Sequence, residues 1–294
     1  MLLILLGSTG CRFSVDALQD VGPAGDADLA MPADGAVRSD PVDLGAPDDL
    51  TAPPVVQGDM AQDPCAGAPP PAAGAIGAQC VIGNPPTIDG DLSDWPQGSF
   101  LGMTSTTAAQ AEGSWGGPLP DDEDSSARFA VRWDLTNLYV AVSITDDIRE
   151  TPNAPPGLSD NDALEIFVDG NHDRTTSYGS DDWQLVYSAD GQKAAARVSL
   201  VSWPTGAHEA WGGTSPSFTV EAAIPWSALG GSAAAPGRIV GFDLKLDDND
   251  EKSKTTRDRD LVMYYVQPSG AGAPSCAAPY CRTDVFGAVQ LQGR

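Results

Sequence analysis

Leu164, Ile166 and Val168 alternate with Glu165, Phe167 and Asp169. That is the two-residue period of a β-strand with unlike faces. Arg128–Asp134 and Leu138–Ile144 alternate in the same way, with Thr136-Asn137 as the hairpin connection. Further strands are expected over Trp183–Tyr187, Ala194–Val201, Ser217–Ile224, Ile239–Leu246, Leu261–Gln267 and Val285–Leu291. Pro85–Gly90 reads as a strand closed by an Asp-Gly turn, and Ala189-Asp190-Gly191 as another turn. The stretch from Phe100 to Ser126 is rich in Thr, Gly and acid and reads as a long loop with weak strands. Pro225 is placed to open a short helix over Trp226–Leu229, which Gly230-Gly231 ends. No long helical period and no fixed repeat occurs. The pattern predicts an all-β chain, an antiparallel β-sandwich of immunoglobulin-like or jelly-roll type.

Composition divides the chain. Residues 12–64 hold eleven Asp, two Arg, no Lys and no Glu, with Phe13 the only aromatic. Such a tract buries too little apolar surface to offset chain entropy, so a disordered linker is expected there. At ~5–6 Å × √n it reaches about 40 Å on average, and further under Asp–Asp repulsion. Residues 65–83 form a Cys-flanked lead-in, and residues 84–294 hold all seven Trp and the strand pattern. Sixteen Lys and Arg against 41 Asp and Glu give a net charge of −25. That excludes nucleic-acid phosphate and simple attraction to an anionic membrane.

The first residues, Met1 to Cys11, are an apolar run followed by Ser8-Thr9-Gly10-Cys11. This resembles a bacterial lipoprotein signal with Cys11 as the lipidated residue, which predicts export and an envelope location, at the outer membrane or cell surface. The run is short and no Lys or Arg precedes it, and a start codon assigned too late explains both. The other reading is an ordinary apolar N-terminus with a chance Cys. Too few apolar residues are present there for a transmembrane helix. With Cys11 set aside, four cysteines remain: Cys65, Cys80, Cys276 and Cys281. Two local loops are the simplest pairing among three possible connectivities, and neither pair has zinc-ligand spacing.

Signals for catalysis are poor. His172 and His208 are the only histidines and stand in no catalytic motif. Oxygen ligands for a hard cation are better represented. Asp169, Asn171 and Asp173 alternate at the end of one strand, with Asp181 and Asp182 placed to return toward them. Asp248 and Asp250 lie in a second acidic turn. Calcium is the ion such sets suit, and solvated turns are the plainer alternative. Trp95, Trp133 and Trp226 belong to the core, whereas Trp115, Trp203 and Trp211 lie in Gly-, Pro- and Ser-rich segments. An exposed ring there is able to stack on a sugar face.

Taken in order, Pro86–Trp95, Val131–Asp134, Leu138–Val142, Asp162–Asp169, Val220–Trp226, Gly241–Leu244, Asp247–Glu251 and Phe286-Gly287 resemble the family 9 carbohydrate-binding modules. The resemblance implies a β-sandwich that often binds calcium. It implies a non-catalytic sugar binder, often attached to glycoside hydrolases and serving carbohydrate catabolism. It assigns a sugar contact to Glu165 and a stacking ring to Tyr280. Leu158 stands where the family has the other clamp Trp, Val186 where it has an Arg, and Lys245 where it has a Gln. Trp183, Trp203, Trp211 or Trp115 is then expected to supply the second ring. Two other functions are alternatives: a calcium-stiffened adhesive domain without sugar affinity, and a haem carrier using Met103 or Met263 with His172 or His208.

Overall fold

The computed structural model describes residues 63–67, 69–108, 110–113, 121–197, 199–250, 261–266 and 279–294, with 110–113 and 261–264 as backbone alone. Cys11, the linker residues before Asp63, Trp115, Cys276 and the side chain of Met263 lie outside this description. The strands are β1 (Ile76–Cys80), β2 (Leu101–Met103), β3 (Gln110–Gly113), β4 (Ser125–Trp133), β5 (Asn137–Asp146), β6 (Ala163–Asp169) and β7 (Asp182–Ser188). They continue as β8 (Lys193–Ala196), β9 (Leu200–Val201), β10 (His208–Gly212), β11 (Phe218–Pro225), β12 (Ile239–Asp248), β13 (Leu261–Tyr264) and β14 (Gly287–Leu291).

The expected β-sandwich is present. One layer runs β10-β11-β5-β4 with β2 on β4; the other runs β14-β12-β6-β7-β8-β9 with β13 on β12 and β3 on β13. β1 joins them, Ile76–Ala78 pairing with β14 and Gln79-Cys80 with β4. Both of its pairings are parallel. Parallel neighbours need long connections, and β1 precedes both of its partners by many residues. The Ala- and Gly-rich lead-in thus supplies a strand that its composition does not announce. Its order comes from pairing on both sides and from the Cys65–Cys80 disulfide.

Alternation positions the core as read from sequence. Leu164, Ile166 and Val168 of β6 share one buried cluster with Val140, Val142 and Ile144 of β5. Phe129 and Phe242 meet across the layers with ring centroids 6.2 Å apart. The outer face of the first layer is covered by the Ile88–Phe100 segment, pinned by buried Glu221. Its carboxylate accepts the Gly90 N–H at 2.6 Å, the Asp89 N–H at 3.0 Å and the Trp95 indole N–H at 2.7 Å. Gly90 has φ +88°, and a Cβ there would fall 2.3 Å from the Trp211 carbonyl oxygen, so the Asp-Gly turn admits no side chain.

Four local readings change. Pro85–Gly90 forms no strand, and only its Asp-Gly turn is kept, held by Glu221. The Trp226–Leu229 helix is instead a hydrogen-bonded turn, because Gly230 and Gly231 at φ 78° and 65° stop it at once. The Ala194–Val201 strand divides into β8 and β9. β10 forms where Trp and Gly suggested a loop, held by full register with β11.

Candidate functional site on the β6 face

Register assembles the site in rows across β12, β6 and β7. Lys245, Glu165 and Val186 form one row; Asp243, Phe167 and Gln184 the next; Gly241, Asp169 and Asp182 the last. Lys245 Nζ binds Glu165 Oε1 and also Asp247 Oδ1 at 2.7 Å, and Gln184 Nε2 donates to Glu165 Oε2. Burial by itself pushes the Glu165 carboxyl up. The Lys245 charge and the hydrogen bonds from Lys245 and Gln184 reverse this and hold it well below the usual carboxylate range.

This face is closed to solvent. Glu165 is 0 % and Lys245 1 % exposed. Leu158 packs with Ala163 and Val186 at one end, and Tyr178, Val285 and Phe286 pack on Phe167 at the other. Loops therefore roof a sheet face on which Glu165, Lys245, Asp247 and Gln184 bind one another, while Asp243 Oδ2 is buried without a hydrogen-bond partner.

The candidate rings take different places. Tyr280 is 42 % exposed on the segment leading into β14. Trp183 faces the core: it pairs in register with Val168, donates to the Ala228 carbonyl at 2.9 Å and has the Arg197 guanidinium 3.9 Å from its ring centroid. Trp203 and Trp211 pack against Tyr187, with centroids 5.4 and 5.8 Å from it, and their N–H groups bind Glu209 Oε2 and the Ser188 carbonyl, each at 3.1 Å. Lys193 sits over Trp203 at 4.5 Å and is paired with Glu209. These three rings lie on the core side of β7, away from the Glu165 rows. Met103 is fully buried in the main core, whereas His208 is exposed on β10.

The acids gather at strand ends. Asp169, Asp181 and Asp182 each offer an oxygen within 4.8 Å of the others. Asp169 and Asp182 are register partners closing the β6–β7 hairpin. Asp181 Oδ2 and Asp182 Oδ1 are buried without a hydrogen-bond partner. Burial, then the neighbouring carboxylates, raises Asp182 to about 7 and moves Asp169 upward. Asn171 and Asp173 stand beyond this group in the loop, bonded to each other at 3.3 Å. Gly241 leaves the room Asp169 needs, since a Cβ there would lie 2.7 Å from the Asp169 Cβ.

Asp248 joins a second group with Asp146 and Asp162, while Asp250 joins Asp124 and Asp147. Burial chiefly, and mutual repulsion next, raises Asp146 to about 7, Asp162 to about 8 and Asp248 to about 9. Asp248 Oδ2 is buried and unpartnered. Sequence reading missed Asp146, Asp162, Asp124 and Asp147, because these groups are assembled from the ends of β4, β5, β6 and β12. The available signal was an Asp at the end of each of those strands. Oxygen-only sets with buried, unpartnered carboxylate atoms fit a hard cation, and calcium takes about 6–8 oxygens at about 2.3–2.6 Å. Cys65 is bonded to Cys80, and Cys281 is also disulfide-bonded.

A family model described as carbohydrate family 9 binding domain-like matches residues 102–294. Among curated proteins, the chain is 31 % identical over 194 residues to an exoglucanase XynX of Acetivibrio thermocellus, covering 66 % of this chain and 16 % of that protein. It is 32 % identical over 193 residues to an endo-1,4-beta-xylanase A of Thermoanaerobacterium saccharolyticum, covering 66 % and 15 %. The chain thus spans about a sixth of the length of these relatives. A family 9 carbohydrate binding module from Caldicellulosiruptor kristjanssonii, solved in complex with cellotriose, superposes with a TM-score of 0.57 at 21 % identity, covering 75 % of this chain and 94 % of that one. The matched residues contain both the Glu165 rows and the acid groups, and the chain belongs to the carbohydrate family 9 binding domain-like family, whose modules bind sugars without catalysis.

Proposed function

We propose that the β6 face binds a polysaccharide or oligosaccharide. Glu165, with Lys245 and Gln184 around it, supplies the polar contacts, and Tyr280 supplies the stacking ring. The observation that carries this is Glu165, bound by Lys245 and Gln184 at the centre of a roofed sheet face, beside a segment bearing the exposed Tyr280. A carboxylate accepts from paired hydroxyls, and an exposed ring covers the apolar face of a pyranose. The Caldicellulosiruptor complex names cellotriose as a first ligand to try. Calcium at the Asp169–Asp181–Asp182 and Asp146–Asp162–Asp248 groups is a structural cofactor in this reading, with Asp250 in the adjoining acid group. Lipid attachment at Cys11 places the module on the cell envelope, beside glycoside hydrolases in carbohydrate catabolism. A glycan array run with calcium and with chelator tests the reading; retention of no plant or bacterial glycan in either condition removes it.

A second reading is a calcium-stiffened adhesive domain without sugar affinity. The complete burial of Glu165 and Leu158 favours it. Calcium-dependent melting without glycan retention selects it.

A further inference from the structure

The loop joining β6 to β7 carries the Asp169–Asp181–Asp182 group at its neck. Its outer part grips the segment that leads into β14. The Thr175 carbonyl accepts the N–H groups of Thr283 and Asp284 at 3.1 and 3.0 Å. Arg174 donates to the Asp284 carbonyl at 2.7 Å, and Tyr178 gives its hydroxyl to the Pro279 carbonyl at 2.6 Å. The Tyr178 ring also packs edge-on against Phe286, centroids 6.2 Å apart. Pro279 is the residue before Tyr280.

The same loop is tied to the acids. Asp169 Oδ1 accepts the Asp173 N–H at 3.2 Å and Oδ2 the Arg174 N–H at 3.0 Å. Arg174 adjoins Thr175, so a single carboxylate touches both the acid group and the start of the grip. Asp182 is 1 % exposed with an unpartnered oxygen turned into that group. A buried orphan acceptor of this kind points to a bound cation, since leaving it unmatched is costly.

We infer that Arg174, Thr175 and Tyr178 are positioning residues for the saccharide site: a divalent cation held by Asp169, Asp181 and Asp182 fixes the β6–β7 loop, and the loop fixes residues 279–286, including Tyr280. The inference rests on the saccharide reading of Tyr280 given above. A ring already held where it must stack loses less entropy on binding, so the cation strengthens sugar binding. The coupling is reciprocal, and sugar strengthens cation binding by the same factor.

The test uses the full chain and calcium chloride. Calorimetry establishes calcium binding, and hydrogen exchange then follows the Thr283 and Asp284 amides. Calcium is expected to slow their exchange at least about 5-fold, and to tighten binding of whichever oligosaccharide the array identifies by a similar factor. Tyr178→Phe keeps the ring but removes the bond to Pro279. It is expected to weaken sugar binding severalfold and to reduce the effect of calcium, with calcium still bound and little change in melting. Calcium binding without altered exchange at Thr283 and Asp284 overturns the inference, as does the absence of calcium binding. Equal sugar affinity with and without calcium overturns it too. If no sugar binds in either condition, the saccharide reading fails by itself, and slowed exchange still shows the loop holding the segment.

Discussion

Lys245 on β12 stands directly opposite Glu165 on β6 and bridges it to Asp247, with all three side chains buried. One ammonium thus holds two carboxylates in a buried position. Removing one member of a buried ion pair typically costs about 3–5 kcal/mol, because the partner stays buried and uncompensated. Lys245→Met is therefore expected to destabilise by that amount in urea unfolding. Glu165→Gln leaves Lys245 paired with Asp247 and is expected to cost less.

The acid groups give stability a definite pH dependence. Asp146, Asp182, Asp162 and Asp248 are raised to between about 7 and about 9, against about 3.9 in the unfolded chain. Between those values the native state holds more protons than the unfolded state, so stability falls as pH rises. In chelator the melting temperature is expected to drop from pH 5 to pH 8. Saturating calcium is expected to abolish most of that drop, since the ion replaces the protons. Asp248→Asn is expected to raise melting in chelator at pH 8 and to reduce the gain from calcium.

Much of the fold was legible because alternation and burial coincide. Leu164, Ile166 and Val168 point to the core because their period matches the pleat, and Trp133 is buried for the same reason. β1 and β10 were not legible: Ile76–Cys80 is small-residue sequence ordered by two sheet edges, and His208–Gly212 is ordered by β11. For the site, Glu165 could be read from its strand and from the family pattern. The roof over it could not, because Leu158, Tyr178 and Phe286 arrive from separate loops. Nor could the Asp146–Asp162–Asp248 group, whose members are far apart in sequence.

Gly241 tests the neck of the cation loop. A Cβ at this position must displace Asp169, 2.7 Å away in a fixed register pair. Gly241→Ala is expected to cost about 1–3 kcal/mol through overpacking. It is also expected to weaken calcium binding, measured by calorimetry, by more than a mutation remote from the cluster does.

The Cys65–Cys80 bond closes a loop with a sequence separation of 15 residues and anchors the strand joining the two layers. For a loop of that length the chain-entropy estimate is about 3 kcal/mol. Replacing both cysteines by Ala is expected to lower unfolding stability by about that much while leaving saccharide affinity unchanged.

Titration of the intact chain with the best oligosaccharide from the array, in calcium, tests saccharide binding at the β6 face most directly. Wild type is expected to give saturable heat. Glu165→Gln is expected to abolish it and Tyr280→Ala to weaken it severalfold, with both variants folded by circular dichroism. Unchanged affinity in both variants, or no heat from a folded wild type, would contradict a saccharide site on this face.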